Sequence, residues 1–138
     1  MKKLTKKTAA VAMATAFAVS GVLVSASPAA AATYGGECGS GYKVVNQDNV
    51  GNKGTVYLTY NSSTGKNCVV TKRNSPGSRV IIEAGLSISP AGTHWAAYEG
   101  DYFTSYAGPV YLNAAGKCVD WMGRISGTEG GDRGTNCG

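Results

Sequence analysis

The chain has 138 residues, of which 43% are hydrophobic and 15% charged, and a formal charge of +5. Four of its 13 basic residues and none of its eight acidic ones lie in residues 1–32, so the 106 residues that follow hold nine basic and eight acidic side chains, a net charge of +1. The positive excess belongs to a terminal segment, which removes the electrostatic basis for binding nucleic acid or an anionic membrane.

That terminal segment has the three parts of a secretory signal peptide. Lys2, Lys3, Lys6 and Lys7 come first, an apolar run over residues 9–24 follows, and small residues ending in Ala30-Ala31-Ala32 complete it. The pattern predicts cleavage within about two residues of Thr33. The apolar run is shorter than the about 20 residues that span a bilayer, and no cysteine directly follows the small residues. Residues 1–32 therefore read as a signal peptide and 33–138 as one secreted domain, with no membrane association after signal removal.

Residues 33–41 form a glycine-rich lead-in holding Cys38, residues 42–46 read as a first strand, and 47–53 as a turn. A hairpin is expected over 54–71. Val56, Leu58 and Tyr60 alternate with Thr55, Tyr57 and Thr59, a period of two that predicts a strand with one buried face. Asn61 and Gly65 mark its loop, with Gly65 in the left-handed region beside a bulge. Asn74-Ser75-Pro76-Gly77 is a turn signal. A strand over 79–89 follows, in which Gly85 suggests a bulge or bend. Residues 93–107 read as two short strands around Glu99-Gly100-Asp101.

Gly108-Pro109 opens a second hairpin reaching Ile125, and it repeats the first in outline. Val110, Tyr111, Leu112, Gly116, Lys117, Cys118 and Val119 match Val56, Tyr57, Leu58, Gly65, Lys66, Cys68 and Val69. Internal duplication and shared turn chemistry both account for the match. Residues from Ser126 onward read as a surface tail held by Cys137. No stretch of the secreted part has helical apolar spacing, so the expected fold is all-β: a small antiparallel β-sandwich or open β-barrel of about six to eight strands.

Glycine is abundant and aliphatic residues are few, so eight tyrosines and two tryptophans must supply core mass and cross-links must help. Cys38, Cys68, Cys118 and Cys137 imply two disulfides in an oxidising compartment. Of the three connectivities, Cys38 with Cys68 and Cys118 with Cys137 is favoured, because it puts one bridge in each half. Zinc is not expected, since there is no Cys-x-x-Cys and His94 is the only histidine.

No catalytic residues, metal or cofactor are expected. A small ribonuclease would pair His94 with Glu83 or Glu99 and an arginine such as Arg79, yet no motif surrounds these groups. Glu99 and Asp101 supply too few oxygens for calcium. Trp95, Tyr98, Tyr102, Tyr106 and Trp121 have two readings: core mass, or an exposed platform on which sugar rings or a partner's side chains pack.

Four stretches carry a family likeness: Tyr34 through Cys38 to Tyr42-Lys43-Val44-Val45; Gly54 to Asn61 followed by Thr64 to Thr71; Tyr106 to Leu112; and Cys118-Val119-Asp120-Trp121 with Cys137-Gly138. In these the chain resembles the spore-associated protein A family, small secreted proteins of filamentous actinobacteria. Residues 79–104 carry it least. It implies a non-enzymatic protein of the spore or cell surface. The partners to weigh are a cell-wall or spore-surface polymer or, for a binding module, wall glycan or a secreted protease.

Overall fold

The computed structural model describes residues 32–138; the expected signal peptide 1–32, all but its last residue, lies outside the described residues. Eight strands follow in chain order: β1 (Lys43–Val50), β2 (Gly54–Asn61), β3 (Lys66–Arg73), β4 (Val80–Ile88), β5 (Ala97–Phe103), β6 (Tyr106–Asn113), β7 (Val119–Ile125) and β8 (Thr128–Thr135). They make two antiparallel four-stranded sheets, ordered β1-β2-β3-β6 and β5-β4-β7-β8. The all-β, sandwich-like expectation and the strand number hold.

Inward side chains of both sheets form one core, with Val56, Leu58, Val69 and Val110 from the first sheet against Ile82, Leu86, Trp121 and Ile125 from the second. The sheets also approach each other at their edges. On one side, β5 passes into β6 through Thr104-Ser105, and the Ser105 carbonyl accepts from Arg73 N at 2.9 Å. On the other, Gly131 N donates to Asp48 Oδ2 at 2.9 Å, joining β8 to β1.

The first hairpin forms as expected, with β2 and β3 in continuous register from Gly54↔Arg73 to Asn61↔Lys66. Gly65 has φ +71°, but no bulge adjoins it. β1 runs on to Val50, leaving only residues 51–53 as the turn. β2 is buried on both faces rather than one, because the lead-in lies across the outer face of the first sheet. There Cys38 bonds to Cys68, Tyr34 packs on Tyr57 with ring centroids 5.8 Å apart, and Tyr111 Oη donates to Cys38 O at 2.8 Å. Lys72 Nζ pairs with Glu37, and Tyr57 Oη donates to Ala32 O.

The second hairpin does not exist as one. β6 pairs with β3 and β7 with β4, so residues 114–118 arch from one sheet to the other. The sequence match therefore reflects shared strand and turn chemistry, not a duplicated unit. β4 keeps unbroken register through Gly85 on both sides. β5 runs straight through Glu99-Gly100-Asp101, with the reversal displaced to Thr104-Ser105. The expected surface tail contains β8, joined to β7 across Ser126 and Gly127 at φ +46° and +82°, positive values of the kind that suit a two-residue hairpin. Cys118–Cys137 then ties the start of β7 to the chain just beyond β8.

Candidate functional site

The lead-in covers β2 and β3 on the outer face of the first sheet, whereas the outer face of the second is covered at one end only. Alternation decides what it displays. Ile82, Ala84 and Leu86 point into the core, so Ile81, Glu83, Gly85 and Ser87 of β4 point outward. Their cross-strand neighbours place Tyr98 and Tyr102 from β5, and Asp120, Met122 and Arg124 from β7, on the same face.

One end of this face is roofed by residues 89–96, and two paired residues hold that loop. Ser87 Oγ accepts from Ala96 N at 2.7 Å, and opposite it Asp120 Oδ2 accepts from Ala91 N at 2.8 Å. Asp120 Oδ1 also accepts from Gly134 N at 2.8 Å, while Arg133 lies 3.4 Å from Oδ2. Burial raises the Asp120 pKa, but the bonds from Ala91, Ser89, Gly134 and Arg133 outweigh it and hold the carboxyl below its ordinary value. The loop lays the Trp95 ring on Gly85, where a Cβ would come within 2.7 Å of the ring. The Arg133 guanidinium sits 5.0 Å from the Trp95 ring centroid, within cation–π range.

The other end is bare. Tyr98 and Tyr102 are 50% and 54% exposed, and Ile81 beside them is 42% exposed. Tyr98 Oη donates to Glu83 Oε1 at 2.7 Å. That bond, with some burial and the Glu83 charge, raises the tyrosine pKa. Arg124 bridges Glu83 at 3.1 Å and Glu129 at 2.5 Å, and these contacts raise its own pKa. Arg79 donates from Nε and Nη2 to the Tyr102 carbonyl. Arg79, Ile81, Glu83, Tyr102 and Arg124 line an open depression of about 420 Å³.

The five aromatic residues singled out in the sequence thus separate. Trp95, Tyr98 and Tyr102 share the outer face of the second sheet. Tyr106 stands across the register from Lys72, on the outer side of the first sheet. Trp121 is 1% exposed in the core, with Nε1 donating to Thr135 Oγ1 at 2.8 Å. Trp121 is therefore core mass, Trp95 is half-buried, and Tyr98, Tyr102 and Tyr106 are exposed. Arg124, Glu129 and Arg133 complete the face but have no signal in the sequence until the β7–β8 register is known.

The ribonuclease-type set does not converge. Glu83 faces outward to Tyr98 and Arg124, whereas Glu99, of the opposite parity, turns inward and accepts from Gly108 N at 2.5 Å. His94 is exposed in the loop, with Nδ1 2.8 Å from Thr93 Oγ1. A second cleft, of about 260 Å³, lies among Val45, Tyr60, Asn67, Ala114 and Asn136, and no acidic, basic or histidine side chain lines it. Among the described residues no group of three or more His, Cys, Asp or Glu is placed to hold a metal.

Among curated proteins, the chain is 51% identical over 124 residues to Spore-associated protein A of Streptomyces coelicolor, an alignment covering 86% of this chain and 79% of that protein. No protein-family model matches, and no solved structure matches.

Proposed function

We propose that this chain, which belongs to the spore-associated protein A family, is a secreted, non-catalytic structural protein associated with the spore or cell surface. The observation that carries the reading is how the ionisable groups are used. Glu37 is tied to Lys72, Glu83 and Glu129 to Arg124, Asp120 to two backbone N–H groups, and Glu99 to a third. Each bond holds one part of the fold to another, and His94 stands apart from all of them in the exposed loop. Neutral-pH acid–base catalysis requires such groups within hydrogen-bond reach of a common reacting atom. The two disulfides support an extracellular setting, and the relative's name supports the spore surface.

Fractionation of a sporulating culture tests the location: the protein is expected in the spore or wall fraction, with its N-terminus at or within about two residues of Thr33. A protein retained in the cytoplasm with its lysine-rich start overturns the secreted reading. The purified protein is expected to hydrolyse no RNA, peptide or wall polymer. Turnover lost in His94→Ala refutes the non-enzyme reading.

A second reading, a binding module for wall glycan or for a secreted protease, is favoured by the exposure of Tyr98 and Tyr102. Loss of wall binding on replacing Trp95 and Tyr98 by Ala, with the circular dichroism of the fold retained, promotes it.

A further inference from the structure

We infer that the bare end of the outer face of the second sheet is a seat for an uncharged polysaccharide chain, with Tyr98 and Tyr102 as stacking surfaces and Glu83, Arg124 and Arg79 as the polar groups that receive its hydroxyls. This inference rests on the surface-associated reading and names the chemistry by which association takes place.

Three observations choose this occupant over a protein. The first is where the charges lie. Glu83 and Arg124 are directly paired on the two central strands, β4 and β7, while the tyrosines stand on the edge strand β5. A protein interface has the reverse anatomy, with an apolar centre depleted of charge and a polar rim. A flat protein partner would strip water from the Glu83–Arg124–Glu129 row without matching its remaining lone pairs and N–H groups. Sugar hydroxyls both donate and accept, so they satisfy such a row in place of water.

The second observation is the charge balance. Arg79, Arg124 and Arg133 on this face are offset by Glu83, Glu129 and Asp120. Neither a polyanion nor a polycation finds a complementary field there, whereas an uncharged polymer needs none.

The third is that the seat is already fixed. Tyr98 is held through its hydroxyl by Glu83, which Arg124 holds in turn, and the Tyr102 backbone is clamped by the Arg79 guanidinium. A ring held in place before binding, as that of Tyr98 is, loses little conformational freedom when a ligand packs on it. The Tyr98 ring reaches over Gly100 toward Tyr102, so the two tyrosines line one stretch of strand β5 along which an elongated chain can lie.

Affinity electrophoresis of the secreted protein tests this in native gels containing hydroxyethylcellulose, soluble N-acetylglucosamine hexamer as competitor, and hyaluronate as the charged comparison polymer. Retardation is expected in the uncharged gel, with about tenfold weaker retention for Tyr98→Ala/Tyr102→Ala. Tyr106→Ala, on the opposite sheet, should behave as wild type. Trp95 emission serves as a second readout and should shift on titration with the hexamer. Circular dichroism and thermal melting establish that the double variant is folded; if it is not, Ile81→Glu, exposed on the same face, takes its place with the same expected loss.

The inference is overturned by absence of retardation in uncharged polymer, by retention that survives the tyrosine replacements, or by retention in hyaluronate alone. It is equally overturned if ultracentrifugation shows a dimer that the double variant dissolves, because the occupant is then a second copy. Failure here leaves the surface-associated reading intact when fractionation still finds the protein on spores; a protein absent from spores yet retained by the polymer fails the other way.

Discussion

Thr59 and Thr71 offer one substitution with two opposite outcomes. Both are fully buried in the first sheet. Thr59 Oγ1 donates to the Cys68 carbonyl at 3.0 Å, whereas Thr71 Oγ1 is the one buried side-chain polar atom among the described residues without a partner. Replacing either by Val exchanges a hydroxyl for a methyl. At Thr59 the change removes a bond worth about 1 kcal/mol net, and the loss should appear in full, since the position is already packed beneath the lead-in. At Thr71 it removes an unsatisfied group whose burial costs about 1–3 kcal/mol and adds apolar surface to the core. Thr71→Val is therefore expected to stabilise by about 1–2 kcal/mol and Thr59→Val to destabilise by about 1 kcal/mol. In a domain of this size these are melting shifts of about 5 °C in opposite directions. Urea unfolding with the disulfides intact measures both. Loss of stability in Thr71→Val would refute the argument, and would place the tight approach of Thr71 to Gly123 ahead of polar desolvation.

Three further outcomes are expected. Asp120 and Glu37 both have lowered pKa values in the fold: for each, burial raises the value, but the bonds to Asp120 and the Lys72 bond to Glu37 prevail. The unfolded chain consequently binds more protons in acid, so the contribution is complete above the ordinary values of 3.8 and 4.5 and is lost as pH falls through the lower folded values; Asp120→Asn should flatten that acid limb in unfolding curves taken from pH 6 downward. Cys137 is exposed while Cys38 and Cys68 are buried, so mild reductant with mass-spectrometric trapping should open Cys118–Cys137 first, and prior opening of Cys38–Cys68 contradicts the covered first sheet. Gly85→Val should lift Trp95 from the sheet, raising acrylamide quenching of its emission while buried Trp121 stays protected; unchanged quenching means that the ring does not rest there.

Local chemistry was legible in the chain wherever partners were near in sequence. The β2–β3 hairpin could be read from alternation and from Gly65. The disulfide pairing came out as expected, although its ground, one bridge in each of two repeated halves, did not, since residues 114–118 form an arch and not a second hairpin. Residues 113–118 show where such reading stops. Asn113 and Gly116 suit a turn within one sheet as well as an arch between two, and only non-local pairing of β6 with β3 and β7 with β4 decides. β8 was missed because Thr128–Thr135 carries no apolar alternation; an edge strand held by backbone pairing and by Trp121 reaching Thr135 leaves little hydrophobic trace. At the site, the acid–Gly–acid triplet suggested a reversal, although the parity of Tyr98, Gly100 and Tyr102 already placed both rings on one side of a continuous strand. The pairing of Arg124 with Glu129 depends on a register that no local pattern specifies.

The lead-in across the first sheet gives the molecule a back as well as a front. If the front settles on a polymer, the back would face the medium, and with it an amino terminus produced by the expected cleavage near Thr33. A layer of such molecules would be oriented: a dye on that terminus would stay reachable by antibody on intact spores, whereas a dye at position 102 would be hidden until the layer was stripped.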